Sequence, residues 1–306
     1  MAGAVSRARA PGKLVLSGAY AVLSGAPALV VAVDRYVLAD SAKPATFFAP
    51  EVRAAIGDRA APWYDASDLR EQGKKLGLGS SAAIVVASLA ALELDLEPGL
   101  SDRALCARVY ERALVAHRSA QGGGSGADVA AAAHGGVLAA RRTASGLDVS
   151  PVGLPHGLHF EVWACSVAAS TAEFLARIAA FAARDAAAHQ ACIAAQAEAA
   201  EAALEAAQRD VALDFVRAIA CQVGTLGALG RAAGADIVTA ELAELAELAA
   251  RHGAAFLPAG AGGGDVAYYV GQAPAPADFS ARARALGLSP VALTLGARGV
   301  HALGEL

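Results

Sequence analysis

The sequence predicts a fold of mixed helices and strands, and three observations support this prediction. Apolar, β-rich runs at residues 13–17 and 28–33 predict two strands joined by a turn. Residues 171–253 are rich in alanine and predict an almost continuous series of helices. Residues 266–295 predict a strand, a helix and a final strand. A dinucleotide-binding fold is not predicted, because the sequence lacks its parallel strand–helix–strand start.

The composition is that of one large domain or two moderate ones. The 306 residues suffice for substantial cores, and much of the 56% hydrophobic fraction is alanine. No uninterrupted apolar stretch reaches about 18 residues, and residues 1–10 lack the apolar core of a secretory signal. We therefore expect a cytoplasmic protein without a membrane partner. The net charge of −4 argues against a general nucleic-acid partner.

The four cysteines are far apart in the sequence and have no paired spacing for zinc or redox chemistry. They are Cys106, Cys165, Cys192 and Cys221. The expectation is reduced, buried thiols, as is usual in a cytosolic protein.

The first half of the chain is predicted to alternate between sheet and helix. Residues 35–54 continue a sheet that Pro44 and Pro50 interrupt, and the polar residues 62–73 predict a loop or short helix. The elements that follow are helices at 81–94 and 101–120, a helix from Asp128 to the stop at Gly135 and Gly136, and a strand at 137–142.

The segment 143–157 is rich in Gly, Pro and Ser and indicates a domain boundary. We place one domain at residues 1–155 and a second at residues 156–306. The elements predicted after the boundary are a strand at 158–167, a helix begun by a Ser170–Glu173 capping box, helix breaks near Asp210 and at 224–234, an amphipathic helix at 241–248 and a helix at 277–286.

One stretch looks suited to hold an anion, namely residues 74–83 (KKLGLGSSAA). Gly77 and Gly79 can adopt positive φ and expose backbone N–H groups, and Ser80 or Ser81 can cap the helix that follows. The first amides of a helix, with its positive dipole end, bind phosphate. The polar segment 68–73 argues against a dinucleotide fingerprint, and no Walker loop is present. An ordinary loop capped by serine is also consistent with this stretch.

Two further glycine loops and a short N-terminal motif complete an ordered set. The four segments are residues 10–18 (APGKLVLSG), 77–83 (GLGSSAA), 125–128 (SGAD) and 260–265 (GAGGGD). In this order they resemble the motifs of the galactokinase/homoserine kinase/mevalonate kinase/phosphomevalonate kinase (GHMP) superfamily, whose members use ATP without a Walker loop. The resemblance spans most of the chain.

The resemblance implies a two-domain α+β fold with the active site between the domains. The N-terminal domain would be like domain 2 of ribosomal protein S5, and the C-terminal domain would be ferredoxin-like. The third loop would close the floor of the site. ATP phosphates would be bound by Lys75, Gly77, Leu78, Gly79, Ser80, Ser81 and Ala82.

The catalytic residues implied by the resemblance are Lys13 and Asp128. Lys13 would neutralise the transferring phosphoryl group and pair with Asp128, the family's candidate base. Ser81 would be the protein's ligand to Mg²⁺, which prefers oxygen donors. Each residue also has a structural alternative. Lys13 would be an exposed surface lysine, Asp128 a helix N-cap and Ser81 a helix cap.

Substrate contacts are implied for a second group of residues, namely Lys13, Tyr20, His117, Ser125, Gly126, Gly262 and Gly263. His117 would bind a phosphate, although a core histidine with satisfied hydrogen bonds is nearly as good an interpretation. Lys75 would act as a point charge near a phosphate, or be a solvated loop lysine. Arg141 and Arg142 are weaker candidates, because such a pair is more often a solvated strand edge.

Within the superfamily the chain looks most like the phosphomevalonate branch. Lys75 before the loop, the segment 117–130 and the segment 169–171 resemble that branch, as does 263–265 with its following strand. Ala19 stands where the family usually has a glutamate, which removes a carboxylate near the acceptor.

The implied function is ATP- and Mg²⁺-dependent phosphorylation of (R)-5-phosphomevalonate to the diphosphate, in isoprenoid precursor synthesis. The alternatives are mevalonate kinase or another small-alcohol kinase of the superfamily, and a non-catalytic ligand-binding member. The expected partners are small molecules only, and the protein is expected to be a monomer or homodimer.

Overall fold

The computed structural model describes residues 6–71, 73–144, 146–166 and 171–304. Their α-helices are α1 (Pro50–Ile56), α2 (Ser80–Leu96), α3 (Asp102–Gln121), α4 (Ala127–His134), α5 (Thr171–Arg184), α6 (Ala186–Gln208), α7 (Ala212–Ala233), α8 (Ala240–Arg251) and α9 (Ala277–Ala285). Their strands are β1 (Arg7–Ser17), β2 (Pro27–Pro44), β3 (Pro62–Asp65), β4 (Arg70–Glu71), β5 (Lys74–Lys75), β6 (Val137–Thr143), β7 (Gly146–Pro151), β8 (His159–Ala164), β9 (Ala255–Pro258), β10 (Val266–Gly271), β11 (Ser289–Val291) and β12 (His301–Ala302). The predicted fold class of mixed helices and strands is therefore confirmed.

The larger sheet has the order β12-β1-β2-β6-β7, with β3 paired to β2. The two predicted strands joined by a turn are β1 and β2, and a short 3₁₀ helix (Ala21–Ser24) lies between them. The first seven residues of β2 are all buried, which explains why they read as a continuous apolar run rather than an alternating one.

A second, four-stranded sheet is antiparallel, with the order β11-β8-β10-β9, and β4 pairs with β5 in a two-stranded sheet. The core of the four-stranded sheet brings Trp163 of β8, Phe256 of β9 and Tyr269 of β10 together with Leu245 of α8 and Phe279 of α9. The predicted leucine-rich helix is α8, whose Leu242 and Leu245 are buried. The period of its leucines thus reflects one packed face and not a coiled coil.

The chain divides into two compact units, and neither is continuous in sequence. Unit 1 consists of Met1–Leu14, Val30–Leu138 and Leu293–Leu306, and unit 2 consists of Val15–Leu29 and Ala139–Ala292. Three of the four dividing positions fall inside β1, β2 and β6, and the fourth follows β11. The domain boundary predicted between residues 155 and 156 stays a prediction. The predicted domains are continuous in sequence, whereas each compact unit combines separate stretches of the chain.

Several predicted elements were wrong. Residues 50–54 belong to helix α1 instead of a sheet, because Pro50 is at the helix start, where its missing N–H costs nothing. The segment 62–73 contains β3, a 3₁₀ turn and β4, instead of a loop or single helix.

The glycines at 224–234 do not interrupt a helix. Helix α7 runs through this segment and ends at Gly234, because its packing against α6 outweighs the low helix propensity of glycine. The break near Asp210 is confirmed, and a further break lies at Asp185, which caps α6 by accepting a hydrogen bond from the Ala188 N–H.

Helix α7 is long and apolar enough to cross a membrane by length and composition. This is weak evidence, because core helices of soluble proteins meet the same criterion. The cysteines are free, but Cys221 is exposed and the other three are only half-buried, so the prediction of buried thiols was wrong. The predicted cap Ser170 lies outside the described residues.

Candidate active site

The loop before α2 presents the start of the helix without a side-chain cap. Gly77 (φ 66°) and Gly79 (φ 75°) both have the predicted positive φ. Gly79 is the N-cap, and among the residues that the structure describes no side chain caps the helix there. Ser80 and Ser81 are already helical, so the prediction that one of them caps α2 was wrong. The first amides of α2 are therefore available to an anion, together with the positive end of the helix dipole.

Lys13 lies along this loop. Its backbone N–H donates to the Leu78 carbonyl oxygen (2.8 Å), and its Nζ donates to the Gly77 carbonyl oxygen (3.2 Å). A Cβ at Gly79 would lie 2.9 Å from the Lys13 Cγ and Cε atoms. Glycine at 79 therefore allows the lysine stem to pass the loop and deliver an ammonium group beside it. The predicted ion pair of Lys13 with Asp128 remains a prediction.

His117 of α3 connects two other predicted residues. It is buried, with 6% of its surface exposed. Its Nε2 lies 3.1 Å from the Ser81 Oγ and 3.5 Å from the Asp128 Oδ2. The structure thus brings Ser81, His117 and Asp128 together in unit 1, and it gives His117 protein partners. Contact of His117 with a substrate phosphate remains a prediction.

Asp128 is the second residue of α4, whose N-cap is Gly126 in the left-handed conformation (φ 85°). The alternative of a helix N-cap at Asp128 is therefore wrong. Its Oδ1 accepts a hydrogen bond from the Val129 N–H (3.0 Å), and 24% of its side chain is exposed. A carboxylate in the first turn interacts favourably with the helix dipole and here keeps one oxygen turned toward His117.

The loop that carries Asp128 is held from α3. The Arg118 guanidinium donates to the Ser125 carbonyl oxygen (2.8 Å), and the Ser125 Oγ accepts from the Ala127 N–H (3.3 Å). A Cβ at Gly126 would lie 2.3 Å from the Leu114 side chain, so only glycine fits. Ser125 and Gly126 therefore shape the loop, and their predicted substrate contacts remain predictions. The sequence analysis did not predict this role of Arg118. The only indication in the sequence was its position next to the candidate residue His117.

In unit 2, Tyr20 has an unusual positive φ of 64° and is buried. Its hydroxyl donates a hydrogen bond to the Ala261 carbonyl oxygen of the third glycine loop. Burial raises the pKa of the Tyr20 phenol above its ordinary value, which keeps it a donor. Tyr20 therefore holds the third loop, and its predicted role in substrate binding remains a prediction.

The glycines of the third loop lie against protein atoms. A Cβ at Gly262 would lie 2.3 Å from the Ile237 carbonyl oxygen, and one at Gly263 would lie 2.2 Å from the Phe174 ring. The Gly263 N–H donates to the Ile237 carbonyl oxygen (2.8 Å). These contacts explain the requirement for glycine without a ligand, and substrate contact at Gly262 and Gly263 remains a prediction.

Gln222 of α7 was missed by the sequence analysis. It is 1% exposed, its Oε1 accepts from the Gly18 N–H (3.0 Å), and its Nε2 donates to the Ser17 Oγ (2.8 Å). This amide holds the turn that leads into Tyr20. In the sequence, Gln222 stands out only as a polar residue within the apolar pattern of α7. That pattern does not reveal that its partners are Ser17 and Gly18.

The remaining basic residues have different surroundings. Lys75 is exposed on β5. Arg141 pairs bidentately with Glu201 (2.8 and 3.0 Å) and donates to the Gly25 carbonyl oxygen (3.1 Å), so its guanidinium already has protein acceptors. Arg142 is exposed, as expected for a strand edge.

The described residues contain no group of three or more His, Cys, Asp or Glu side chains that could enclose a metal ion. Mg²⁺ does not need such a group, because it keeps several waters and takes phosphate oxygens together with one or two protein oxygens. The Ser81 hydroxyl and the Asp128 carboxylate fit this requirement, since each places an oxygen beside Nε2 of His117.

Comparison with known proteins agrees with the motifs. A family model described as the GHMP kinases N terminal domain matches residues 69–136. A phosphomevalonate kinase of Streptomyces sp. (strain CL190) is 27% identical and aligns over 95% of this chain and 97% of its own length.

Solved structures share the fold over nearly the whole chain. A Lin0012 protein from Listeria innocua matches with a TM-score of 0.85 and 22% identity, covering 99% of this chain and 100% of that one. The phosphomevalonate kinase of Streptococcus pneumoniae, in complex with phosphomevalonate and AMPPNP, matches with a TM-score of 0.78 and 20% identity, covering 94% and 99%. The mevalonate kinase of L. major, in complex with R-mevalonate, gives 0.64 and 19%, covering 90% of each chain.

These findings define what the chain is similar to: residues 69–136 match the model of the GHMP kinases N terminal domain, and the fold is shared with solved phosphomevalonate and mevalonate kinases. The resemblance drawn from the glycine loops is thereby confirmed. Within that class, the similarity includes phosphomevalonate kinases in both the sequence and the structure comparisons.

Proposed function

We propose that this protein is an ATP-dependent, Mg²⁺-requiring kinase that phosphorylates (R)-5-phosphomevalonate to 5-diphosphomevalonate. The observation that carries the proposal is the uncapped start of α2 with the Lys13 ammonium beside it. Backbone amides and a cation converging on one place are what a transferring phosphoryl group requires, since its catalysis is mainly positioning and electrostatic stabilisation.

The choice of acceptor is supported by the relatives. The Streptomyces protein is a phosphomevalonate kinase that aligns with almost the entire chain, and the pneumococcal structure holds phosphomevalonate with an ATP analogue. The mevalonate kinase of L. major shares the fold with a lower TM-score. We therefore place the alcohol-phosphorylating activity second.

ATP would lie with its phosphates at residues 77–82, where the amides of α2 begin. Mg²⁺ would offset the charge of the phosphate oxygens, and the Ser81 hydroxyl would hold it together with phosphate oxygens and water. Lys13 would bind the oxygens of the transferring group, because its Nζ is held beside the loop by the Gly77 carbonyl oxygen. Exclusion of water from the phosphates would strengthen each of these interactions.

Asp128 has a different task with each type of acceptor. An alcohol must lose a proton on attack, and a positioned base contributes about 10²–10⁴-fold. A phosphate monoester has a second pKa of about 6 and is largely a dianion at neutral pH. With the phosphate acceptor, Asp128 mainly orients the reacting groups.

The proposal is tested by coupled ADP release with mevalonate, 5-phosphomevalonate, homoserine and galactose as acceptors. We expect turnover with 5-phosphomevalonate, and a reaction without acceptor is the control. Turnover of mevalonate alone would reverse the choice of acceptor. Binding of Mg²⁺·ADP without turnover of any acceptor would indicate the non-catalytic alternative.

Substitution of Asp128 by Asn provides a second test of the acceptor. We expect a loss of about 10-fold or less in kcat with a phosphate acceptor, and about 10²-fold or more with any alcohol that wild type also accepts, because only the alcohol needs a base. Equal losses with both acceptors would refute this assignment of Asp128.

The further attributes of this proposal are a cytoplasmic location, small-molecule partners only, and a monomeric or homodimeric state. The net charge of −4 supports the absence of a nucleic-acid partner. Light scattering coupled to size-exclusion chromatography measures the oligomeric state directly.

A further inference from the structure

A single nitrogen atom of His117 faces two oxygen groups of the proposed site. The Nε2 is 3.1 Å from the hydroxyl oxygen of Ser81 and 3.5 Å from the nearer carboxylate oxygen of Asp128. The imidazole comes from α3, the hydroxyl from α2 and the carboxylate from α4. Only 8% of the His117 side chain is exposed, so water competes poorly for this nitrogen.

This arrangement is not a nucleophilic triad. In a Ser-His-Asp triad, one ring nitrogen takes the serine proton while the other is held by the aspartate. Here the same nitrogen faces both residues, so the ring cannot pass a proton from Ser81 to Asp128 through its two nitrogens. The role of His117 must be sought in orientation.

The two distances indicate which partner His117 orients. A separation of 3.1 Å is within hydrogen-bonding range, whereas 3.5 Å lies beyond the usual range for nitrogen and oxygen. When Nε2 accepts the hydroxyl proton of Ser81, the lone pairs of Oγ point away from the ring. A hydroxyl held in this way directs its lone pairs, and not its proton, toward a cation.

We propose that His117 is a positioning residue that orients the Ser81 hydroxyl as a ligand for the nucleotide-bound divalent cation. The inference rests on the proposed function, and it replaces direct contact of His117 with the acceptor phosphate. Groups that hydrogen-bond a metal ligand set its orientation, and their loss weakens metal affinity or activity about 10–100-fold.

The test uses Mn²⁺ with ADP, because Mn²⁺ shares the preference of Mg²⁺ for oxygen ligands and is visible by electron paramagnetic resonance. We expect His117→Leu to weaken Mn²⁺·ADP binding about 10-fold or more. We expect His117→Gln, whose amide can reach the same hydroxyl, to recover most of that loss. The control His134→Leu removes another histidine of unit 1, and it should leave the affinity unchanged.

A double-mutant cycle with Ser81→Ala makes the test specific. If His117 acts through Ser81, His117→Leu has no further effect on Mn²⁺·ADP affinity once the hydroxyl is gone. Independent, additive losses in the two variants would overturn the inference. Unfolding curves without ligand show whether each variant is folded, and the Gln variant supplies the comparison if the Leu variant is not.

Steady-state kinetics separate this role from acceptor binding. We expect His117→Leu to raise the Mg²⁺ concentration needed for half-maximal rate and to leave the KM for the acceptor within about twofold at saturating Mg²⁺. A raised acceptor KM with unchanged metal affinity would overturn the inference and restore phosphate binding by His117. Failure of wild type to bind Mn²⁺·ADP would instead refute the proposed function.

Discussion

The loop before α2 and the third glycine loop have similar sequences but use their glycines differently. At residues 77–79 the glycines leave the helix start without a side-chain cap. At residues 260–264 they allow the backbone to approach Ile237 and the ring of Phe174. A glycine cluster therefore does not reveal by itself whether the backbone approaches a ligand or another part of the protein.

The side chains next to the two loops show the same difference. Beside the first loop lies Lys13, whose ammonium donates to the Gly77 carbonyl oxygen. Beside the third loop lies Tyr20, whose raised pKa keeps the phenol neutral as a donor to the Ala261 carbonyl oxygen. A charged group thus accompanies the loop proposed to bind phosphate, and a neutral one accompanies the loop that packs. Substitutions at both loops can test this contrast.

The largest effect is expected from Lys13→Met. Loss of the ammonium beside the α2 loop should lower kcat/KM about 10³-fold, because a donor aimed at developing charge typically contributes 10²–10³-fold. The ADP-release assay measures this loss. Lys13→Arg keeps the charge and is the matched control. A loss under tenfold in the Met variant would remove the basis for treating this loop as the phosphate site.

The next largest effect is expected when a methyl group is added to a glycine of each loop, at Gly263 and at Gly79. Gly263→Ala forces a Cβ to within 2.2 Å of the Phe174 ring at a φ of 73°, and we expect it to lower the free energy of unfolding by about 2–4 kcal/mol. Gly253→Ala is the control for backbone strain, since its φ is 68° and no atom of the described residues lies within 4 Å of the added Cβ. Urea unfolding measures both.

In the companion variant Gly79→Ala, the described atoms nearest to the new Cβ belong to the flexible side chain of Lys13, at 2.9 Å. We expect it to lower kcat about 10²-fold by displacing the lysine, while the free energy of unfolding falls by about 1 kcal/mol. The reverse ranking, with a large stability loss at 79 and a small one at 263, would contradict the contrast between the loops.

The smallest effect is expected from Tyr20→Phe. Removal of the hydroxyl leaves the Ala261 carbonyl oxygen without this donor and should cost about 1–2 kcal/mol of stability. Because burial raises the Tyr20 pKa, the unfolded state ionises first as pH increases. The contribution of this residue is therefore present below about pH 10 and is lost above it.

The measurement is urea unfolding of both proteins at pH 8 and at pH 10.5. Wild type should lose more stability between these values than Tyr20→Phe does, since the variant lacks the titrating group. The same pH dependence in both proteins would show that the phenol of Tyr20 does not stabilise the third loop in this way.

Elements with a local signal could be predicted from the sequence alone. Helix α3 begins after Ser101, whose Oγ accepts from the Ala104 N–H (3.3 Å), and helix α4 ends at Gly135, as predicted. Such caps are formed between residues a few positions apart, so the sequence contains both partners together. The order of the glycine loops along the chain likewise suffices to indicate the superfamily.

Tertiary packing decided what the local signals could not. Helix α7 continues through its glycines because α6 covers it, and Gly79 caps α2 while the strand residue Lys13 lies against it. The amide of Gln222 holds Gly18 across 204 residues of sequence, and His117 meets Ser81 across 36. The sequence by itself determined which residue types were present and which helices and loops they favour. Only the folded chain decided their partners, because hydrogen bonds depend on distance in space and not on separation along the chain.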